Sequence, residues 1–388
     1  VLAVLSPGQG SQKPGFLTPW LALTGAEARL RWWSAPAGVD LVHLGTTAGA
    51  EEIQDTARTQ PLLVAAALLA AEHLPMNDVT LTAGHSVGEL GAAALAGVLS
   101  AETAITLAGL RGREMAAACA IEPTGMAAVL GGDTDEVLAA LDAHGLHAAN
   151  RNGAGQIVAA GSISGLDALA AAPPTKARVV RLKVAGAFHT PHMAPAEATL
   201  AGVAAGITPA RPARILLSNL DGAAVDHGRE MVQRLVRQVT SPVRWDLCMR
   251  TLADLGVTGV VELPPAGTLA GLIKRELSDS LPEIVTLKTP DDLPAARALI
   301  ARHGAAARPA PTTRFRVVTA TAPGAFQPAE GLVEGESLKA GQVIGHIATG
   351  QGPVEVTAHD SGLLTEWFAH HDAPVAPGQP LARIGGHS

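Results

Sequence analysis

The chain has 388 residues, enough for two or three domains with a sizeable core each, and 47% hydrophobic with 16% charged residues is a globular profile. Lys and Arg number 28 against 35 Asp and Glu, a net charge of -7, which argues against the clustered cations of a nucleic-acid binder and favours a small or acyl substrate. Two cysteines, Cys119 and Cys248, are too few for a disulfide framework or a zinc site, and no uncharged apolar run reaches 18 residues, so a cytoplasmic chain without metal, signal peptide or membrane segment is expected.

Val1-Leu2-Ala3-Val4-Leu5 is a short apolar run that empties into Gly8-Gln9-Gly10-Ser11-Gln12, and reads as a buried strand ending in a glycine loop. The Ala/Leu stretch 60–74 is too long for a strand and reads as a buried helix with Pro61 in its first turn. Residues 79–83 alternate apolar and polar, Gly84-His85-Ser86-Val87-Gly88 follows, and an Ala-rich helix is expected over 89–99. A further helix over 101–119 carries Arg111 and Arg113. Strands at 126–130, 157–161 and 179–184 alternate with helices at 134–144 and 164–172, which predicts a small inserted α+β subdomain over about 125–186, ferredoxin-like, forming one wall of a cleft. Strands at 215–218 and 259–263 and helices near 230–238 and 247–255 return to the α/β pattern. The Pro/Ala-rich stretch 303–313 reads as a linker between a domain over 1–302 and another over 314–388. In the latter, Leu338-Lys339-Ala340-Gly341-Gln342 is similar to Val375-Ala376-Pro377-Gly378-Gln379, so two similar halves of a small β fold are expected.

Gly84-His85-Ser86-Val87-Gly88 matches the nucleophile elbow G-x-S-x-G, in which a tight turn holds a serine hydroxyl clear of the backbone at a helix N-terminus. A strand before it and a helix after it are the context this geometry requires, which makes Ser86 the candidate nucleophile. A serine needs a base, and on the residues alone His189 and His192, where a strand gives way to a loop, are near-equal candidates. His85 is expected to point away from its neighbour Ser86.

Gly8-Gln9-Gly10-Ser11-Gln12, Gly84-His85-Ser86-Val87-Gly88-Glu89, Arg111, the NGAGQIVAAG stretch over 152–161 and Ala187-Phe188-His189 together resemble the malonyl-CoA:acyl-carrier-protein transacylase family over about residues 1–300. The resemblance implies an α/β fold, with an α/β-hydrolase-like acyltransferase core around the insert. It places the malonyl group on Ser86, the base at His189, and an oxyanion hole at the backbone N–H groups of Gln9 and Val87. It also implies Arg111 on the substrate carboxylate, the Gln238 backbone carbonyl orienting His189, and Phe188 and Asn152 in the acyl pocket, with Gln156 in the same loop; Arg113 is left to solvent. Phe188 and Val87 fit the malonyl-selecting pattern. The implied reaction is ping-pong transfer from malonyl-CoA to the phosphopantetheine thiol of acyl carrier protein, in fatty-acid or polyketide synthesis, with no metal, cofactor, nucleic acid or membrane. An acidic carrier calls for a local basic patch, for which Arg178, Arg181, Lys183, Lys274 and Arg275 are candidates. The alternatives are the malonyl-transferring subunit of a malonate decarboxylase, a serine thioesterase or hydrolase, and a scaffold with a vestigial site.

Residues 315–387 resemble the biotinyl/lipoyl carrier domain, an all-β hammerhead: Gly341-Gln342 and Gly378-Gln379 match its two equivalent turns, and Asp360-Ser361-Gly362-Leu363-Leu364 its strand after the hairpin. That family carries its modified lysine at the hairpin, where this chain has Ala348-Thr349-Gly350-Gln351-Gly352-Pro353-Val354; Lys339 falls in another turn. An unmodified module for docking, self-association or tethering is therefore expected. From Arg314 onward the chain holds four cations against seven anions, so three of the seven net negative charges fall there.

Overall fold

Leu2, Ala3, Val4 and Leu5 are wholly buried, as a strand covered on both faces must be, and their strand, Leu2–Ser6, is the middle of a five-stranded parallel sheet. The computed structural model describes residues 1–304, 315–359 and 361–386. Two compact units divide the chain, Val1–Ala307 and Arg308–Ser388. The expected linker lies outside the described residues from position 305 on, as do Arg314, Asp360 and the last two residues.

In the first unit the parallel sheet runs in the order Glu283–Thr286, Gly259–Glu262, Leu2–Ser6, Leu81–Gly84, Ile215–Leu216. Ser6 is in register with Gly84, so the glycine loop after the first strand and the turn after the second leave the sheet side by side at its carboxyl edge. Open parallel sheets present their ligand sites at that edge.

The Ala/Leu helix is Thr56–Ala71, buried almost throughout. It begins earlier than its composition suggests because Asp55 caps it, the carboxylate accepting the Ala57 N–H at 3.0 Å; Pro61 therefore lies inside the helix, not in its first turn. Against it packs the helix Ala101–Cys119, capped by the Ser100 hydroxyl on the Thr103 N–H. Close approach here needs small residues: a Cβ on Gly112 would stand 2.7 Å from the Thr56 carbonyl oxygen. The same helix buries Arg111 and exposes Arg113.

A second sheet has the order Ala177–Arg181, Thr124–Gly131, Gln156–Ser162, His147–Gly153, all antiparallel, with the helices Thr134–Ala143 and Ile163–Ala171 in the connections. Val243–Arg244 adds a fifth, parallel strand. The sequence pattern signals only three strands in this region. His147–Gly153 escapes it because irregularities at Ala148/Asn150 and Arg151/Gly153 break the period-two alternation.

The second unit consists of two four-stranded antiparallel sheets. One has the order Phe315–Thr319, Pro380–Gly386, Gly362–Trp367, Ser337–Leu338; the other Gly352–Thr357, Val343–Thr349, Gly324–Pro328, Ala373–Val375. The internal repeat puts equivalent turns before Val343–Thr349 in one sheet and Pro380–Gly386 in the other. Gly341 and Gly378 take φ of 82° and 84°, and the Gln342 and Gln379 side-chain oxygens accept the Lys339 and Ala376 N–H groups at 3.0 and 3.1 Å.

Backbone packs tightly at the turn after Leu81–Gly84. A Cβ on Gly84 would meet the Gly88 carbonyl carbon and oxygen at 2.1 Å, and one on Gly88 would meet the Ser6 oxygen at 2.2 Å, all backbone atoms that cannot swing aside. Gly84→Ala is expected to cost about 3 kcal/mol in denaturant unfolding. Gly49→Ala, at a site with open space around it, is the control and should stay within about 0.5 kcal/mol of the wild type.

Candidate active site

The turn between the strand Leu81–Gly84 and the helix Gly88–Leu95 forces Ser86 into the left-handed region, φ 53°, which a non-glycine residue enters at a cost of about 1–3 kcal/mol. Hydrogen bonds hold it there. The Ser86 N–H donates to Asn219 Oδ1 at 2.8 Å, Asn219 Nδ2 donates to the Gly84 carbonyl at 2.7 Å, and Gln238 Nε2 donates to the Ser86 carbonyl at 3.1 Å.

His189 is also left-handed, φ 60°, and its Nε2 lies 2.7 Å from Ser86 Oγ. Its Nδ1 donates to the Gln238 backbone carbonyl at 2.8 Å, which leaves Nε2 as the acceptor facing the serine. Burial, reinforced by the Arg111 charge, pushes the His189 imidazole down to about 3. The ring is therefore neutral at physiological pH and free to take a proton. His192 faces elsewhere, its Nδ1 3.3 Å from the Glu122 carboxylate. Of the two candidate histidines, His189 and not His192 thus lies within hydrogen-bond distance of the Ser86 hydroxyl.

Arg111 is 3% exposed and reaches the same point: Nη2 lies 3.5 Å from Ser86 Oγ. Nη1 donates to Gln60 Oε1 at 2.6 Å and Nη2 to Gln238 Oε1 at 2.9 Å. Besides the serine, its side-chain acceptors among the described residues are thus neutral amides. Burial draws the guanidinium down to about 10, with Glu89 opposing the shift, so it keeps its positive charge at neutral pH. Glu89 lies beneath the turn, 1% exposed, accepting the Asn219 N–H at 2.9 Å and a Gln238 Nε2 hydrogen; burial pushes it up to about 7 against those hydrogen bonds.

A cavity of about 510 Å³ opens over these groups. Gln9, Val87, Asn152, Gln156, Phe188 and Lys183 line it, together with Ser86, Arg111 and His189. The Gln9 and Val87 backbone N–H groups meet no acceptor among the described residues. The Gln9 side chain is tied to the Gln54 carbonyl and the Thr56 hydroxyl, at 3.2 and 3.3 Å. His85 does not point away: it lines the cavity, its Nε2 2.9 Å from Asn152 Oδ1, because Trp245 packs edge-on against its ring and the glycine loop lies against its backbone. Of the suggested basic patch, Lys183 reaches the cavity, Arg181 pairs with Asp167 at 2.6 Å, and Arg178, Lys274 and Arg275 are exposed.

Three residues of this cluster carry no signal of their own in the sequence. Gln60 hides in an apolar helix, Asn219 in a loop, and Glu89 ends the GHSVGE run without an evident task.

Residues 5–300 match the acyl transferase domain family. The chain belongs to that family. Relatives of this acyl transferase include the "Malonyl CoA-acyl carrier protein transacylase" of Mycobacterium tuberculosis, 54% identical over 298 residues, which are 76% of this chain and 98% of the relative. That of Mycolicibacterium smegmatis is 56% identical over 285 residues, 71% of this chain and 98% of the relative. Among solved structures, the crystal structure of MCAT from Mycobacterium tuberculosis superposes with TM-score 0.74 at 53% identity, covering 76% of this chain and 99% of that one. A type II PKS acyl-carrier protein in complex with its malonyl-transacylase aligns with TM-score 0.70 at 30% identity, over 76% and 99% of the two chains.

The depressed His189 value makes a stability prediction. Unfolding returns the imidazole to its ordinary value near 6.5, so the unfolded chain binds the extra proton between about 6.5 and 3. This contribution is complete above pH 6.5 and is lost as the pH falls toward 3. Between about pH 6.5 and 5 the wild type should lose up to about 2 kcal/mol relative to His189→Gln in denaturant unfolding. A difference between the two proteins that is constant with pH would contradict the buried neutral imidazole.

Proposed function

We infer that this acyl transferase moves the malonyl group from malonyl-CoA to the phosphopantetheine thiol of acyl carrier protein through a malonyl-serine intermediate. The observation that carries the reading is a buried guanidinium 3.5 Å from the hydroxyl of an elbow serine that is itself 2.7 Å from a neutral histidine. A hydrolase of uncharged acyl groups has no use for that cation. The relatives named above, at 54% and 56% identity, carry the same activity in their names.

In this reading Ser86 Oγ attacks the thioester carbonyl carbon while His189 Nε2 takes the hydroxyl proton. The Gln9 and Val87 N–H groups receive the oxyanion. Collapse breaks the C–S bond, and the coenzyme A sulfur leaves with the proton returned by His189. The carrier thiol then gives its proton to His189, attacks the malonyl ester, and Ser86 Oγ leaves as the hydroxyl. Thiols ionise near 8.5, so the leaving group needs little help, and a histidine oriented by the Gln238 carbonyl rather than by a carboxylate suffices. Arg111 grips the malonyl carboxylate, with Gln60 and Gln238 holding its fork, and Phe188 and Asn152 bound the acyl pocket.

The strand order of the second sheet supports a ferredoxin-like insert on a hydrolase-like core, and the paired turns of the β unit support a biotinyl/lipoyl-like hammerhead. The hairpin Thr349–Gly352 has no amine to carry biotin or lipoate. The β unit is accordingly an unmodified docking or tethering module, and the transfer serves fatty-acid or polyketide synthesis in the cytoplasm.

Intact mass after incubation with malonyl-CoA should show one added malonyl group on the wild type and none on Ser86→Ala. Arg111→Ala should load malonyl at least about tenfold more slowly while acetyl loading changes little. Loss of the bound group faster to water than to carrier thiol would favour a hydrolase. Before any incubation, the mass of the chain as isolated from cells should carry neither biotin nor lipoate.

A further inference from the structure

Gln238 serves five partners at once. Its backbone carbonyl accepts from His189 Nδ1 at 2.8 Å, its Oε1 accepts from Arg111 Nη2 at 2.9 Å, and its Nε2 donates toward the Ser86 carbonyl at 3.1 Å, Asn219 Oδ1 at 3.2 Å and Glu89 Oε2. Chemistry fixes which way round the amide lies. A guanidinium has only donors, so it demands Oε1; Glu89, ionised above about pH 7, then has only acceptors and demands Nε2. The Glu89 carboxylate is the group on the far side of that choice, anchored by the Asn219 N–H at 2.9 Å, and Asn219 in turn holds the Ser86 N–H.

We propose that Glu89 is a positioning residue for substrate selection: through the Gln238 amide it holds the Arg111 fork in the geometry that receives a carboxylate-bearing acyl group. The proposal rests on the transfer reading above and deepens it. Replacing Glu89 by glutamine keeps its size and removes one acceptor. The new side chain then offers one oxygen and one NH₂ where the carboxylate met the Asn219 N–H, Gln238 Nε2 and the Ser218 hydroxyl. Keeping its oxygen on Asn219 sets its NH₂ against Gln238 Nε2, donor against donor, and tilts the amide off it. Oε1 then shifts from under Arg111 Nη2, and the fork loses its direction. Nε2 keeps the Ser86 carbonyl and Asn219 Oδ1, and the Gln238 backbone carbonyl keeps His189, so the acyl chemistry at Ser86 persists.

The test loads Ser86 from malonyl-CoA and from acetyl-CoA and follows both by intact mass over a range of concentrations. Glu89→Gln should raise the half-saturating malonyl-CoA concentration about tenfold or more, leave the maximal loading rate within about threefold, and leave acetyl loading nearly unchanged. Glu89→Asp, which restores two acceptor oxygens, should recover most of the malonyl preference. Equal loss of malonyl and acetyl loading in Glu89→Gln, or an unchanged preference, overturns the proposal, since a merely structural carboxylate has no reason to distinguish the two. Should Glu89→Gln give no folded protein, Gln238→Leu carries the test: it removes the amide that links Glu89 to Arg111, so the ratio of malonyl to acetyl loading must fall whatever the loss in both rates from its Ser86 bond, and an unchanged ratio overturns the proposal. A wild type that takes up no malonyl group sinks the transfer reading itself, whereas a wild type that loads beside a Glu89→Gln protein of unchanged preference sinks this proposal alone.

Discussion

The left-handed backbone at Ser86 is the constraint that the surrounding structure serves. A serine at φ 53° exposes its hydroxyl and aims the following N–H groups along the start of a helix, but it stays there only if neighbouring backbone comes closer than side chains allow. Gly84 and Gly88 supply that closeness, and Gly8 lets the first glycine loop lie against the His85 carbonyl, where a Cβ would stand 2.6 Å away. The parallel register of Leu2–Ser6 with Leu81–Gly84 brings the two loops together. The small residues of the flanking helices let the layers close over the sheet, so the Ala-rich texture of the first unit and the strained turn follow from one packing requirement.

Around this turn, polar groups are deployed where water is excluded, and that raises the stakes of each one. A carboxylate beside His189 would add a buried anion within reach of Arg111 and compete for its charge. The neutral Gln238 carbonyl orients the ring without that competition. The guanidinium is likewise held by amide oxygens, which fix its direction while leaving its charge uncancelled at close range. Glu89, the nearest balancing anion, sits behind Gln238 and not in contact with the fork. The charge of the fork and its direction thus come from different groups.

What the sequence made legible follows the range of the interactions. The glycine loop, the elbow and the buried strands are local requirements, written in adjacent residues, and they can be read directly. Arg111 and His189 become readable only through the resemblance that orders the motifs, since an arginine on a helix and a histidine in a loop are ordinary by themselves. Asn219 and Gln60 meet the site from 133 and 51 residues away from Ser86 and Arg111 respectively, and nothing near them in the chain marks the contact. His85 follows the same rule: its direction is set by Trp245 and Asn152, remote partners, and not by the elbow. His147–Gly153 was missed because irregular pairing erased the alternation that announces a strand.

The β unit separates requirements of fold from requirements of chemistry. Its repeated turns use the same means twice: a left-handed glycine and a glutamine whose side-chain oxygen accepts an N–H three residues back. The following strands fall in different sheets, so each half contributes one such turn to a single core built around Phe326, Ile344, Ile347, Leu381 and Ile384. The hairpin at Thr349–Gly352 is held by the Thr349 hydroxyl on the Gly352 carbonyl at 2.7 Å, a closure that needs no lysine and offers none. A swinging carrier arm needs both a protruding turn and an amine on it. The hairpin of this β unit shows the turn without the amine.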